Sequence, residues 1–148
     1  MSTFKKYLIY FSTIGVIIFC VGEIFSIIID GHLFDAMFIP FLILGLCIFI
    51  FPMSAYFSSI ASTTVIEVEN TEADIYSNIE KIAMQQCKRT QKTKEEGKII
   101  YKMPDPLSKW LTNPIVVKKN GNLVTIETPK AYESYFRQLK KESMEKSL

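Results

Sequence analysis

The chain has 148 residues, a formal net charge of +2 and a mean hydropathy of +0.20, with 49% hydrophobic and 22% charged residues. That balance excludes a disordered chain, a disulfide-dense secreted scaffold and an ordinary water-soluble globule. Of the 11 phenylalanines only Phe136 lies beyond Phe57, so the apolar residues are segregated, and a membrane protein with a water-soluble tail is expected.

Residues 7–29 form an apolar run whose one ionisable side chain is Glu23, and residues 36–57 form a second run with none. About 20 apolar helical residues cross a bilayer core of about 30 Å. In lipid the backbone must satisfy its own hydrogen bonds, so both runs should be helical, and neither shows a polar face. The polar turn Asp30-Gly31-His32-Leu33-Phe34-Asp35 between them predicts an antiparallel hairpin over 1–57. The first run is too long for a signal peptide and lacks a small-residue cleavage site. Lys5 and Lys6 precede it, whereas the loop carries only Asp30 and Asp35. The excess of lysine puts the N-terminus in the cytoplasm, and two crossings return the tail to the same side. A bacterial inner membrane is the expected location. Tyr7, Tyr10 and Tyr56 then fall at the inner interface. Cys20, Cys47 and Cys87 are scattered and odd in number, which suits soft hydrophobes in a reducing compartment rather than a disulfide framework.

Ser12, Gly15, Phe19, Gly22 and Ser26 recur at steps of three and four, on one stripe of the first helix. Small residues let helices approach closely in lipid. The expected partner is the second helix through Gly45, with a second copy of the chain as the alternative. Glu23 is the costly residue, at about 2.5–3.5 kcal/mol for a mid-membrane charge. Three readings stay open: a protonated Glu23 donating to a carbonyl freed by Pro40, a carboxylate reaching the outer interface, or a functional group in a pore, proton site or membrane-partner contact.

Residues 58–62 read as a polar linker, and 63–148 as a small α+β domain: an antiparallel sheet of four or five strands with two helices on one face. The β-branched run Thr63–Glu69 predicts a strand. Thr71 to Asp74 resembles a capping box before a helix with Ile75, Ile79, Ile82, Ala83 and Cys87 on its apolar face. Residues 88–94 are an edge strand or loop, Glu95-Glu96-Gly97 a turn, and 98–103 a strand. Pro104, Pro106 and Pro114 break regular structure around one helical turn at 107–111. Asn120-Gly121 predicts a type I′ hairpin. Thr128-Pro129 predicts a capped helix start, with Tyr132, Tyr135, Phe136 and Leu139 as its apolar face.

The single histidine is His32, in the inter-helix loop, and no phosphate-loop, dinucleotide or zinc-protease motif is present. Nothing in the residue pattern implies a metal or cofactor, and the expectation is non-catalytic. Lys88, Arg89, Lys92, Lys94, Lys98 and Lys102 make a basic stretch that suits anionic lipid near a bilayer, with Trp110 at the interface. Its competing reading is a solvated strand face beside a core tryptophan. The small net charge and the lack of a stacking platform argue against nucleic acid. The Asn120-Gly121 hairpin, with Lys118 and Lys119, offers a strand to a protein partner's sheet.

In layout the chain resembles small bacterial membrane proteins with a helical hairpin and an uncharacterised cytosolic α+β domain; the resemblance carries no motif from which functional residues transfer. The expectation is a membrane-tethered, non-catalytic protein-binding or regulatory module, in an accessory or toxin-neutralising immunity-type role. The alternative is a hairpin that oligomerises into a channel or a transport-associated subunit through Glu23.

Overall fold

The computed structural model describes residues 1–30, 38–69 and 75–145. The inter-helix loop with His32 and Asp35, and the capping-box reading at 71–74, lie outside the described residues. The chain divides into two compact units, Met1–Ser59 and Ile60–Leu148.

The first unit is built from helix α1 (Thr3–Asp30) and helix α2 (Phe38–Ala61). Both are long and apolar enough to cross a membrane. The start of α1 lies beside the end of α2: the Tyr7 and Phe11 rings approach Phe57 at 5.7 and 5.5 Å. Tyr7 is therefore buried in this contact. The predicted linker at 58–62 is mostly helix, because Ser58, Ser59, Ile60 and Ala61 contain no breaker and α2 runs on to Ala61. Pro40 stands in the first turn of α2, where backbone N–H groups have no intrahelical acceptor, and the carbonyl one turn earlier, expected to meet Glu23, lies outside the described residues. The interior proline is Pro52.

The second unit is a five-stranded antiparallel sheet of order β1-β5-β4-β3-β2, formed by β1 (Thr63–Glu69), β2 (Gln91–Glu95), β3 (Lys98–Lys102), β4 (Ile115–Asn120) and β5 (Leu123–Pro129). Its register explains the core. Ile66 pairs with Ile126 and Ile126 with Val117, while Tyr101 pairs with Ile115, so the buried strand residues share one face. Two helical elements cover that face. Helix α3 (Ile75–Lys81) continues as a π turn (Ile82–Gln86) and supplies Ile75, Ile79, Ala83 and Cys87. Helix α5 (Glu133–Glu145) supplies Phe136 and Leu139. A repeat of four drifts about 40° per step around an α-helix. Widening to a π turn lets Cys87 stay on the apolar face; its N–H donates to Ile82 O at 3.0 Å and that of Arg89 to Ala83 O at 2.9 Å. Lys88, with φ of 52°, makes the left-handed exit.

Two local expectations change. The β4–β5 corner is Gly121-Asn122, since Asn120 stays in the ladder opposite Leu123, and only Gly121 has positive φ, at 63°. This is the pattern of a type II′ turn rather than I′. Thr128 does not cap a helix: it is buried in β5 opposite Thr64, and α5 begins only after a 3₁₀ turn at Lys130–Tyr132. Strand pairing outweighs the cap signal here. Tyr135, expected on the apolar face of α5, is 38% exposed.

The difference between core and surface is directly measurable. Phe136→Ala should destabilise the domain by about 3–5 kcal/mol. Tyr135→Ala should change it by no more than about 0.5 kcal/mol. Thermal unfolding of the full chain in detergent, followed by near-ultraviolet circular dichroism, separates the two.

Candidate functional site

Antiparallel pairing sorts the charged residues to opposite ends of the sheet. The entry end, where the chain leaves α2, holds Thr63, Pro129, Ile115, Tyr101–Lys102 and Gln91, as the partners Thr63↔Pro129, Tyr101↔Ile115 and Gln91↔Lys102 require. The opposite, turn end holds Glu95↔Lys98 and Asn120↔Leu123. The residues nominated from sequence therefore do not form one patch. Lys88, Arg89, Lys102 and Trp110 go to the entry end, whereas Lys98, Lys118 and Lys119 go to the turn end. Lys92 lies between, paired with Glu80 and placed 6.0 Å from the Tyr101 ring centroid.

The entry end is organised around helix α4 (Pro106–Leu111), which joins β3 to β4. Asp105 caps it by accepting from Ser108 N at 2.7 Å, with Pro106 in the first turn. That backbone N–H holds the Asp105 carboxyl below its ordinary range. At the other end of α4, Asn113 Nδ2 donates to Ala61 O at 3.3 Å and to Thr63 Oγ1 at 3.0 Å, fixing α4 to the point where the chain enters the sheet. Arg89 is fully buried. Its Nη1 donates to Thr112 Oγ1 at 3.1 Å, the Thr112 hydroxyl donates to Ser108 O at 2.7 Å, and the guanidinium lies 5.5 Å from the Tyr132 ring centroid. A cavity of about 60 Å³ is lined by Arg89, Lys102, Met103, Lys109, Thr112 and Pro114. Trp110 is 37% and Leu107 49% exposed, so Trp110 is a surface residue, not part of the core. Sequence reading passed over Thr112, Asn113 and Lys130; the Asp105-Pro106-Leu107-Ser108 cap was the local signal that a helix, and hence a helix end, lay there.

The turn end is electrostatically different. Lys98 pairs with Glu95 at 2.7 Å, and Lys118 with Glu127. A shallow depression of about 590 Å³ on the uncovered face brings Lys98, Lys118 and Lys119 together with Glu67, Glu96 and Glu127. The β4–β5 hairpin cannot lend a strand to a partner, because β4 lies between β3 and β5, and β5 between β1 and β4. The free edges belong to β1 and β2, and β2 is exposed along its whole length with Lys92 and Lys94 on it, a composition that discourages edge pairing.

In the first unit, Gly15 is buried and Ser12, Phe19, Gly22 and Ser26 are half-buried, while Ile17, Ile18, Ile24, Phe25 and Ile28 are exposed. The small-residue stripe is thus the covered side of α1. Gly45 is not its close-approach point: a Cβ added there would meet no described atom within 4 Å. The Glu23 Oε2 atom is inaccessible and has no hydrogen-bond partner among the described residues.

No group of His, Cys, Asp and Glu that could hold a metal ion occurs among the described residues. Comparison with protein-family models, with curated proteins and with solved structures finds no match.

Burial pushes the Cys87 thiol from its ordinary 9.0 up to about 11, against the opposing field of Arg89. Burial likewise raises Tyr101 to about 12, with Glu80 adding to the effect. Both groups are favoured neutral in the fold, so the unfolded chain gives up these protons first as pH rises. Stability should be intact below pH 9.0 and fall as pH rises toward about 11. Cys87→Ala should remove the thiol's share of that fall, read as a flatter profile of unfolding midpoint against pH.

Proposed function

We propose that the chain is a membrane-tethered, non-catalytic binding module whose folded domain is held against the inner leaflet to engage a protein partner in the membrane or at its surface. The observation that carries this reading is the junction: α2 ends at Ala61 and β1 begins at Thr63, leaving Ser62 as the one residue between an apolar helix and a packed sheet. Helices that expose Ile17, Ile18, Phe25, Ile28, Phe49 and Phe51 need an apolar surrounding, and lipid supplies it. With Lys5 and Lys6 before the first span, the N-terminus and the domain face the cytoplasm, in a bacterial inner membrane. Tethering confines domain and partner to one surface and raises their effective concentration without any new contact. The depression at the turn end, with alternating Lys and Glu, suits a protein face of complementary alternating charge. The proposed role is that of a toxin-neutralising protein or an accessory subunit.

Alkaline carbonate extraction should leave the chain in the membrane pellet, and protease added to intact cells should spare the C-terminal domain. Release into the supernatant, or external cleavage of the domain, would refute the tether. Exchanging 1–57 for an unrelated two-span anchor should preserve function.

One observation favours a second reading, in which the helices themselves work as an oligomeric channel or transport-associated subunit. The shielded Glu23 Oε2, without a partner among the described residues, is costly in lipid and gains from a proton, an ion or a second chain. Under that reading Glu23→Gln abolishes function at unchanged expression and membrane insertion, and the exchanged anchor is inactive. Under the binding-module reading both variants stay active.

A further inference from the structure

We propose that the entry end of the sheet is itself a lipid-binding surface, which docks on the phosphate headgroups of the leaflet where α2 ends. The proposal rests on the reading of α1 and α2 as bilayer spans.

Reach comes first. Ser62 alone separates α2 from β1, and one extended residue covers about 3.5 Å, so Thr63 at the entry end stays within one residue's reach of the end of α2. Asn113 then holds the end of α4 to both Ala61 and Thr63, at 3.3 and 3.0 Å, which brings α4 to the same place.

The second argument is composition. Helix α4 exposes Leu107 and Trp110 with Lys109 between them. The other exposed large apolar or aromatic side chains described in the second unit, Val65, Leu123 and Tyr135, lie on three other elements. An apolar pair with an adjacent cation suits the boundary between headgroups and acyl chains, where indole rings concentrate.

Charge completes the case. Lys102, Lys109 and Lys130 form no salt bridge among the described residues, whereas Lys92, Lys98, Lys118 and Arg137 are each paired with a glutamate. The carboxylates at this end are already engaged, Asp105 in capping α4 and Glu133 in pairing with Arg137. Among the described residues the entry end therefore offers three lysines without a salt bridge where an anionic leaflet offers negative charge, while the turn end mixes its lysines with Glu67, Glu96 and Glu127. A soluble acidic protein would find the same charge, but the tether places this surface against lipid first.

Trp110 is the single tryptophan, so its emission reports on this surface alone. The full chain is reconstituted into vesicles of phosphatidylcholine, with and without phosphatidylglycerol, containing lipids brominated near the headgroup. Flotation of the vesicles first establishes insertion. Trp110 emission should be quenched about twofold more strongly in the anionic vesicles, and the excess should disappear at high salt. It should disappear also in the double variant Lys102→Gln, Lys109→Gln, with near-ultraviolet circular dichroism showing that this variant is folded. A floating chain whose Trp110 is insensitive to brominated lipid overturns the proposal while leaving the tether intact, and identifies the surface as one for a water-soluble partner. Quenching that ignores both anionic lipid and the two lysines overturns it too. A chain that does not float overturns the tether, and the lipid contact with it.

Discussion

Ser62 is the one non-helical residue between α2 and β1, and its carbonyl accepts from Lys130 N at 2.8 Å. The chain therefore passes from an apolar helix directly into a strand that is already paired with β5. Asn113 bonds to the residues on both sides of Ser62. Because antiparallel pairing fixes which residues share an end of the sheet, those few bonds also decide which lysines stand near the point of attachment and which stand at the far side.

The domain itself is held by one apolar layer between the sheet and its two covering helical elements. Ile66, Val68, Ile115, Val117, Val124 and Ile126 meet Ile75, Ile79, Ala83, Phe136 and Leu139 there, mostly with no solvent exposure. β-Branched residues fit such a half-buried pleated surface. The opposite face is left to charge: Lys118–Glu127 spans neighbouring strands, and Lys98–Glu95 closes the β2–β3 corner. Exposed pairs of this kind add about 0–1 kcal/mol each, so their use lies in patterning and solubility more than in stability.

Two buried polar groups mark where the fold departs from simple layering. Arg89 follows the π turn and the left-handed Lys88, and its buried guanidinium meets the Thr112 hydroxyl and the Tyr132 ring. Through Thr112 and Ser108 it is tied to α4, so the end of α3, the start of β2 and α4 are one hydrogen-bonded structure. Glu23 is the counterpart in the helices. Its Oε2 atom is shielded from solvent. The two groups thus pose opposite chemistry in the two units: a buried cation beside a basic surface, and a carboxyl oxygen with no donor among the described residues.

Much of this was legible in the residue pattern because the deciding interactions are local. The apolar runs, the strand at Thr63–Glu69, the helix from Ile75, the turn at Gly97 and the helix carrying Phe136 each follow from periodicity, propensity or a glycine corner. Local signals failed where a distant partner competed with them. Thr128-Pro129 reads as a helix start, yet pairing with Thr64 and Thr63 keeps it in a strand. Asn120-Gly121 reads as the turn, yet the ladder holds Asn120 and shifts the corner by one residue. The basic stretch from Lys88 to Lys102 reads as a single patch, yet a hairpin folds it back on itself and sends Lys98 and Lys102 to opposite ends of the sheet. The sequence by itself determined that two apolar helices precede a water-soluble α+β domain, since burial of apolar surface is written in composition and period. Only the tertiary structure decided which cations stand beside the junction and which are neutralised by glutamates, because strand order and register, set by contacts between residues far apart in the chain, determine what each charge meets.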